Sequence, residues 1–364
     1  MDQYLLAVHK AVNLTHLRYR FLTRFFHGDW KKVWKSKIKD WQAAEIDKAG
    51  IEKFFSNRNK VDPVKVVEQL GQCGAKCLFI EDEMYPLPLK HIYNPPVVLF
   101  YRGQFDDSWF PSISVVGSRK VSSYGKRALA RIVSELVQQQ ITIVSGLAYG
   151  VDTLAHKVAI EHSAKTIAVL GSAIDNLYPA ANRTFAEQFL ADGTGVIFSE
   201  YFPGTQTRAE HFPQRNRIVA GLSKATIIIE AAAKSGSLIT AKLALEQGKE
   251  VFAVPGEIFA SNSAGTNGLI ARGEAQLAYS GGQILQHMGL DRALQHARQA
   301  QKLIPTSGLE GQILELFQDQ DKIHINDIVR QSGLPVTSVG ANLSLLEIKG
   351  FLRHLGESVY GRNF

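Results

Sequence analysis

Hydrophobic positions divide this chain into three regimes. Up to about residue 70 apolar residues recur at helical spacing, with Leu5, Val8, Val12 and Leu14 leading into Leu17, Phe21, Leu22 and Phe25. That spacing predicts short helices, with Gly28 and Gly50 marking later turns. The first two would meet at a hairpin of Asn13-Leu14-Thr15, which lacks the glycines that close backbone approach to a phosphate usually needs. From 76 to 103, two apolar runs (77–80 and 97–101) flank a proline-broken connection, a strand–loop–strand pattern. A repeated unit then begins. Apolar runs open ISVVGSRK (113–120), ITIVSGLAYG (141–150), TIAVLGSAID (166–175), GVIFSEYFPG (195–204), ATIIIE (225–230) and EVFAVPGE (250–257), with amphipathic helical stretches between them. Such alternation predicts a parallel, doubly wound sheet buried on both faces. Each run ends in Gly, Ser, Glu or Pro-Gly, and open α/β sheets bind ligands beyond the carboxyl ends of their strands.

The third regime is polar and then compact. HARQAQ and PTSG, within 283–308, read as a polar helix and a linker. Beyond them come a helix (309–317), a short strand (322–324), a helix (325–331), a turn at Gly333-Leu334-Pro335 and a helix (336–349). A hairpin (351–360) turning at Gly356 completes a winged-helix pattern. The expected organisation is a small helical domain at 1–72, a core at 76–285, a linker at 286–308 and a winged-helix domain at 309–364.

Charge changes this picture in one respect. The net charge of +7 suits a polyanionic partner, but residues 1–70 hold 14 Lys/Arg against 8 Asp/Glu while 308–364 hold 5 against 7. The tail is therefore not where charge would draw a nucleic acid. The two cysteines, Cys73 and Cys77, have no second Cys or His pair to complete a metal site, which points to a reduced, cytoplasmic protein without a metal. The N-terminus lacks a signal-peptide layout, and no apolar run approaches the roughly 18–20 residues that span a bilayer.

Candidate chemistry concentrates in His211–Thr240. Arg215, Asn216 and Arg217 open one helical run, a buried strand follows, and Ser235-Gly236-Ser237 starts a further helix that includes Thr240. Two fixed cations and a helix N-terminus at one end of a buried strand suit a phosphate, because free N–H groups and bidentate guanidinium both favour it. Gly117-Ser118-Arg119 at the first core strand should face the same rim, unless Arg119 pairs with a carboxylate such as Glu200. Ser145, Gly146 and Gly150 permit another close approach or make a tight strand–helix turn. Tyr178, Phe185, Tyr201 and Phe202 lie near strand tips where bases could stack, although Phe185 sits inside a helix and reads as packing. P-loop, HExxH and GxSxG motifs are absent, and no GxGxxG follows the first core strand. Glu230 or Glu200 could serve a nucleotide or nucleoside-phosphate hydrolase as acid or base. For Glu230 the favoured reading is a carboxylate that binds loop N–H groups and balances the arginines.

The ordered elements GSR, SGLAxGVD, LGxxxDxxYPxxN, SExxPG, FPxRNRIxAGLS, EAxxxSGSLITAxxAxExG and VFAVPG resemble the DNA-processing protein A (DprA/Smf) family over about residues 85–275. The resemblance implies an α/β fold: an extended Rossmann-like, doubly wound, mostly parallel sheet, a small N-terminal SAM or helix-hairpin-helix-like domain and a C-terminal winged helix. It implies a homodimer through the Rossmann-like core that binds single-stranded DNA, protects incoming DNA and loads the RecA recombinase during natural transformation, with no catalytic step and no cofactor. The DNA-binding roles it carries over fall on Arg119 of GSR, the Ser145-Gly146 turn, Arg215-Asn216-Arg217 and the Ser235-Gly236-Ser237 helix start. Where the family often carries a lysine near YPxxN, this chain has YPAAN, and Arg183 is expected to replace it. Helix 336–346 carries no Lys or Arg, so the winged helix suits packing or a protein contact better than duplex recognition. A transcription regulator acting through that acidic domain is the weakest alternative.

Overall fold

The structure, a computed structural model, describes residues 2–290, 308–317, 320, 322–348, 351–356 and 358–362. HARQAQ and most of the expected linker lie outside these residues. Two compact units result, dividing after residue 291.

The first unit opens with six helices: α1 (Gln3–Val12), α2 (His16–Phe26), α3 (Trp30–Lys35), α4 (Ile38–Ala43), α5 (Lys48–Asn57) and α6 (Pro63–Gln72). Asp2 caps α1 by accepting from the N–H groups of Tyr4 and Leu5, and Thr15 caps α2 by accepting from that of Arg18. Between them Asn13 takes the left-handed conformation, φ 55°, so the hairpin turns without glycine. Trp41 is fully buried, stacked on Phe54 at 4.2 Å, and its indole N–H donates to Ser36 Oγ. The apolar core is continuous from Leu6, Val12, Leu22 and Phe54 to Val98, Phe100 and Ile167 of the sheet. Helical region and sheet therefore share one core.

Among the described residues, nine strands form the sheet: β1 (Lys76–Phe79), β2 (Val98–Arg102), β3 (Ser112–Val116), β4 (Thr142–Ser145), β5 (Thr166–Leu170), β6 (Gly195–Ser199), β7 (Ala225–Ile228), β8 (Glu250–Ala253) and β9 (Gln276–Leu277). Their order is β1-β2-β6-β5-β4-β3-β7-β8-β9. The pairs β1–β2 and β2–β6 are antiparallel, and the others run parallel. β3 to β7 are buried throughout, as their predominantly apolar runs with only small hydroxyl residues between require. β9 is only two exposed residues, Gln276 and Leu277, too short for an apolar pattern, and pairs to β8 at the sheet's edge.

The helices of this unit are α7 (Leu87–Lys90), α8 (Ser123–Val137), α9 (Val151–Glu161), α10 (Arg183–Ala191), α11 (His211–Leu222), α12 (Gly236–Glu246), α13 (Ala264–Ala271) and α14 (Gly281–His287). From β3 the chain winds outward to β6, then crosses back to place β7 on β3's other side. That reversal opens a crevice at the carboxyl ends of β3 and β7. Both α11 and α12 lie on it, and α11 ends where Lys249 Nζ donates to the carbonyls of Ala220 and Gly221. A cation on these last carbonyls stabilises the helix C-terminus, while partial burial lowers the Lys249 pKa to about 8.

The second unit holds α15 (Gly308–Glu315), β10 (Lys322–His324), α16 (Ile325–Ser332), α17 (Val336–Ile348), β11 (Leu352–His354) and β12 (Val359–Arg362). Its antiparallel sheet has the order β10-β12-β11. Ile313, Phe317, Ile328, Val339, Leu343 and Leu352 fill its core. Gly333 and Gly356 sit at positive φ, at the end of α16 and in the hairpin turn. This is a winged helix.

Candidate nucleic-acid interface

A cavity of about 510 Å³ occupies the crevice at the strand tips. The β3 exit supplies Gly117 and Arg119, the β4 exit Ala148 and Asp152, and the β5 exit Tyr178. Helix α11 adds Phe212, Pro213, Arg215 and Asn216, and α12 adds Ser235, Gly236, Ser237, Ile239 and Thr240. Of the predicted phosphate ligands, Gly117, Arg119, Arg215, Asn216, Ser235, Gly236, Ser237 and Thr240 are thus brought to one cavity.

Each part has a local cause. Ser235 caps α12, its hydroxyl accepting from the N–H of Ser237 at 3.3 Å. The first turn of this 11-residue helix presents N–H groups and the positive end of its dipole to the cavity. Arg119 is exposed, and among the described residues no carboxylate pairs with it. Glu200, the partner considered for it, instead accepts from Arg217 Nη2 at 2.5 Å. The Gly117–Arg119 loop rests on the start of α9, where a Cβ on Gly150 (φ +78°) would lie 2.3 Å from the carbonyl oxygen of Ser118. Only glycine fits there.

Arg215 is 6% exposed and forms the cavity floor. It donates to the carbonyl oxygens of Gly146, at 2.8 Å, and Val169. Burial pulls its pKa below the usual guanidinium value, and Asp152 opposes that. The Asp152 carboxylate accepts from the N–H groups of Gly146 (3.1 Å) and Ala148 (3.3 Å). Its burial raises its pKa, with Arg215 acting against the rise. Asp152 was missed as a site residue, although the SGLAxGVD pattern contains it; an acidic residue in a helix's first turn normally reads as an ordinary dipole partner.

Five predicted ligands are not brought to the cavity wall. Ser145 is fully buried and donates to the Val115 carbonyl at 2.7 Å, so its hydroxyl serves the sheet. Gly146 is glycine because Arg215 lies against it: a Cβ there would be 2.5 Å from Nη2. Arg217 faces another way and lines a separate cavity with Tyr93 and Asn94. Two residues along a helix turn about 200°, which separates it from Arg215. Ser118 accepts from the N–H of Lys120 at 3.1 Å, within its own loop. Arg183 is exposed at the first turn of α10, beyond the lining residues.

Of the candidate stacking rings, Tyr178 is half exposed on the wall, 5.5 Å from the Phe212 ring. Tyr201 stacks on His211 at 4.0 Å, Phe202 packs edge-on to Phe100, and Phe185 edge-on to Phe189. Those three are packing residues. Glu230 accepts from the N–H of Ser122 at 2.9 Å and from its hydroxyl, holding the start of α8. Among the described residues no cluster of three or more His, Cys, Asp or Glu could hold a metal. Burial pushes the Cys77 thiol up to about 12, which disfavours the thiolate a metal needs.

Residues 76–289 match the model of DNA recombination-mediator protein A. The chain belongs to that family. Residues 297–357 match the DprA winged helix domain. DNA processing protein DprA from Streptococcus pneumoniae is 45% identical over 206 residues, covering 57% of this chain and 72% of its own. A crystal structure of DNA processing protein A from Streptococcus pneumoniae superposes with a TM-score of 0.69 at 34% identity, covering 79% of this chain and 98% of that one. DNA processing protein A from Helicobacter pylori, solved for its single-stranded DNA binding mode, superposes with a TM-score of 0.53 at 30% identity, covering 60% of this chain and 96% of that one. Among the described residues no helix is long and apolar enough to cross a membrane.

Proposed function

We propose that this protein binds single-stranded DNA without regard to sequence and acts as a recombination mediator. It would protect incoming DNA and load the RecA recombinase onto it during natural transformation, in the cytoplasm, without a catalytic step or cofactor. The observation that carries this reading is the placement of Arg119, exposed and without a carboxylate partner among the described residues, opposite the N-terminus of α12 across one open cavity. Both grip phosphate oxygens and neither reads a base edge. Tyr178 on the wall adds a sequence-tolerant stacking surface. The single-stranded DNA binding described for the Helicobacter pylori protein supports the same reading. Committed carboxylates favour binding over hydrolysis: Glu230 is engaged by Ser122 and Glu200 by Arg217.

The homodimer would form through the Rossmann-like core. Its sheet ends at β9, whose outer edge is unpaired among the described residues and carries Leu277 at 42% exposure, next to Tyr279 at 62%. An open apolar edge invites a second copy.

Fluorescence polarisation with labelled single- and double-stranded oligonucleotides at two salt concentrations tests the binding. The single strand should bind more tightly, binding should weaken steeply with salt, and Arg119→Ala should weaken it equally for all sequences. Equal affinity of wild type and Arg119→Ala for oligo-dT sinks the proposal. The mediator role is read from the rate at which RecA starts DNA-dependent ATP hydrolysis on strands already coated with a single-strand binding protein. No acceleration by the wild type would remove it.

A further inference from the structure

Beyond β8 the chain makes a tight turn, Glu257 to Ala260, closed by the Ala260 N–H on the Glu257 carbonyl at 3.1 Å. Its two corner residues are Ile258 and Phe259, which are 81% and 94% exposed. Corners of such turns normally take Gly, Pro, Asn, Asp or Ser. Two large apolar side chains in water at the tip of a turn therefore need an occupant.

The turn is braced. Gly256 and the Asn267 side chain exchange two hydrogen bonds, at 3.1 and 3.0 Å, and the Tyr124 hydroxyl donates to the Pro255 carbonyl at 2.6 Å. Its base is also tied to both halves of the phosphate cavity. The Asn262 amide donates to the carbonyl of Lys120, the neighbour of Arg119, at 3.2 Å. The Asn262 carbonyl accepts from the N–H of Ala231, and Gly265 donates to the Ala231 carbonyl, both at 2.8 Å, in the loop that leads to Ser235. Lys120 and Lys234 beside these anchors are exposed cations, and Glu257 is the exposed acid of the turn itself.

We propose that Ile258 and Phe259 form a base-stacking platform for the single strand where it leaves the phosphate cavity on the β8 side. This rests on the single-stranded DNA reading. β8 lies two strands from β3, roughly 10 Å, which a short stretch of single strand can span. An aromatic tip between exposed lysines, beside a phosphate grip, matches how single strands are held: cations follow the backbone while rings take the bases. Tyr178 lies at the β5 exit, on the opposite side of Arg119, so the strand would cross the sheet's carboxyl edge with a ring at each end.

The test uses the full chain and a labelled oligo-dT of about 20 nucleotides. Phe259→Ala should bind about tenfold more weakly with an unchanged dependence on salt, because stacking releases no counterions. Arg119→Ala should flatten the log–log salt slope by about 0.7. Phe259→Trp should keep the affinity, and its added emission, taken over the background of Trp30, Trp34, Trp41 and Trp109, should be quenched by the oligonucleotide. Both variants should melt like the wild type, since the side chain is exposed.

The platform is overturned if Phe259→Ala binds as the wild type does and Phe259→Trp emission ignores saturating DNA. A monomer–dimer shift in sedimentation with DNA binding intact overturns it in favour of a contact between copies. Loss of binding in Arg119→Ala but not in Phe259→Ala removes the platform alone. A wild type that fails to bind oligo-dT removes the underlying reading as well.

Discussion

Arg215 lies beneath Gly146, donating to its carbonyl oxygen at 2.8 Å and leaving no room for a Cβ on that residue. The same turn is held from another direction by Asp152, which accepts from the Gly146 N–H. A cation and a carboxylate thus fasten the two polar groups of one residue. Gly146→Ala should drive Cβ into the guanidinium and cost about 1–3 kcal/mol. Arg215→Ala should cost about 3–5 kcal/mol, because it leaves the Asp152 carboxylate buried without its opposing charge. Thermal and urea unfolding measure both. In a double-mutant cycle Arg215→Ala with Asp152→Ala should be less damaging than the sum of the single changes.

Arg217 separates stability from binding. Its guanidinium and the Glu200 carboxylate are 15% and 13% exposed, so their ion pair is partly desolvated. Arg217→Ala should lower stability by about 1–3 kcal/mol while oligo-dT affinity stays within about twofold. A large loss of affinity at unchanged melting temperature would return Arg217 to the DNA-binding set.

The tyrosines on either side of α11's start should behave oppositely. Tyr178→Ala removes an exposed ring from the cavity wall and should weaken oligo-dT binding by about 1–3 kcal/mol without changing the melting temperature. Tyr201→Ala deletes a buried ring stacked on His211 and should cost about 3–5 kcal/mol of stability. Polarisation and thermal melts on the same preparations distinguish them.

Acid should unfold the core through two histidines. Burial lowers His9 to about 4 and His156 to about 3, against 6.5 when exposed. Between pH 6.5 and 4 the unfolded chain binds protons that the folded one refuses, so stability falls as pH falls. Each histidine contributes about 1.4 kcal/mol per pH unit. His9→Gln should reduce the slope of unfolding free energy against pH by that amount in this window. Asp152, its pKa raised, works in the opposite sense as pH approaches the carboxylate range.

The alternation of apolar runs and amphipathic stretches was enough to place β3 to β8 and the helices between them, because strands buried on both faces must be predominantly apolar. The winged helix was legible for a similar reason, with Gly333 and Gly356 at its turns. Strand order was not. That β6 pairs with β2 on one flank while β7 returns beside β3 depends on contacts far apart in sequence, and no local pattern encodes them. The same limit governs the site. Residue types alone pointed to an anion-suited rim at Arg119, the Arg215–Arg217 run and Ser235–Ser237, since cations and a capped helix start favour anions wherever they occur. Only tertiary structure decided that Arg119 meets no carboxylate among the described residues, that Arg215 braces Gly146 and that Arg217 turns away to Glu200. A guanidinium binds a carbonyl, a carboxylate or a phosphate equally readily, and which one it meets is a matter of packing.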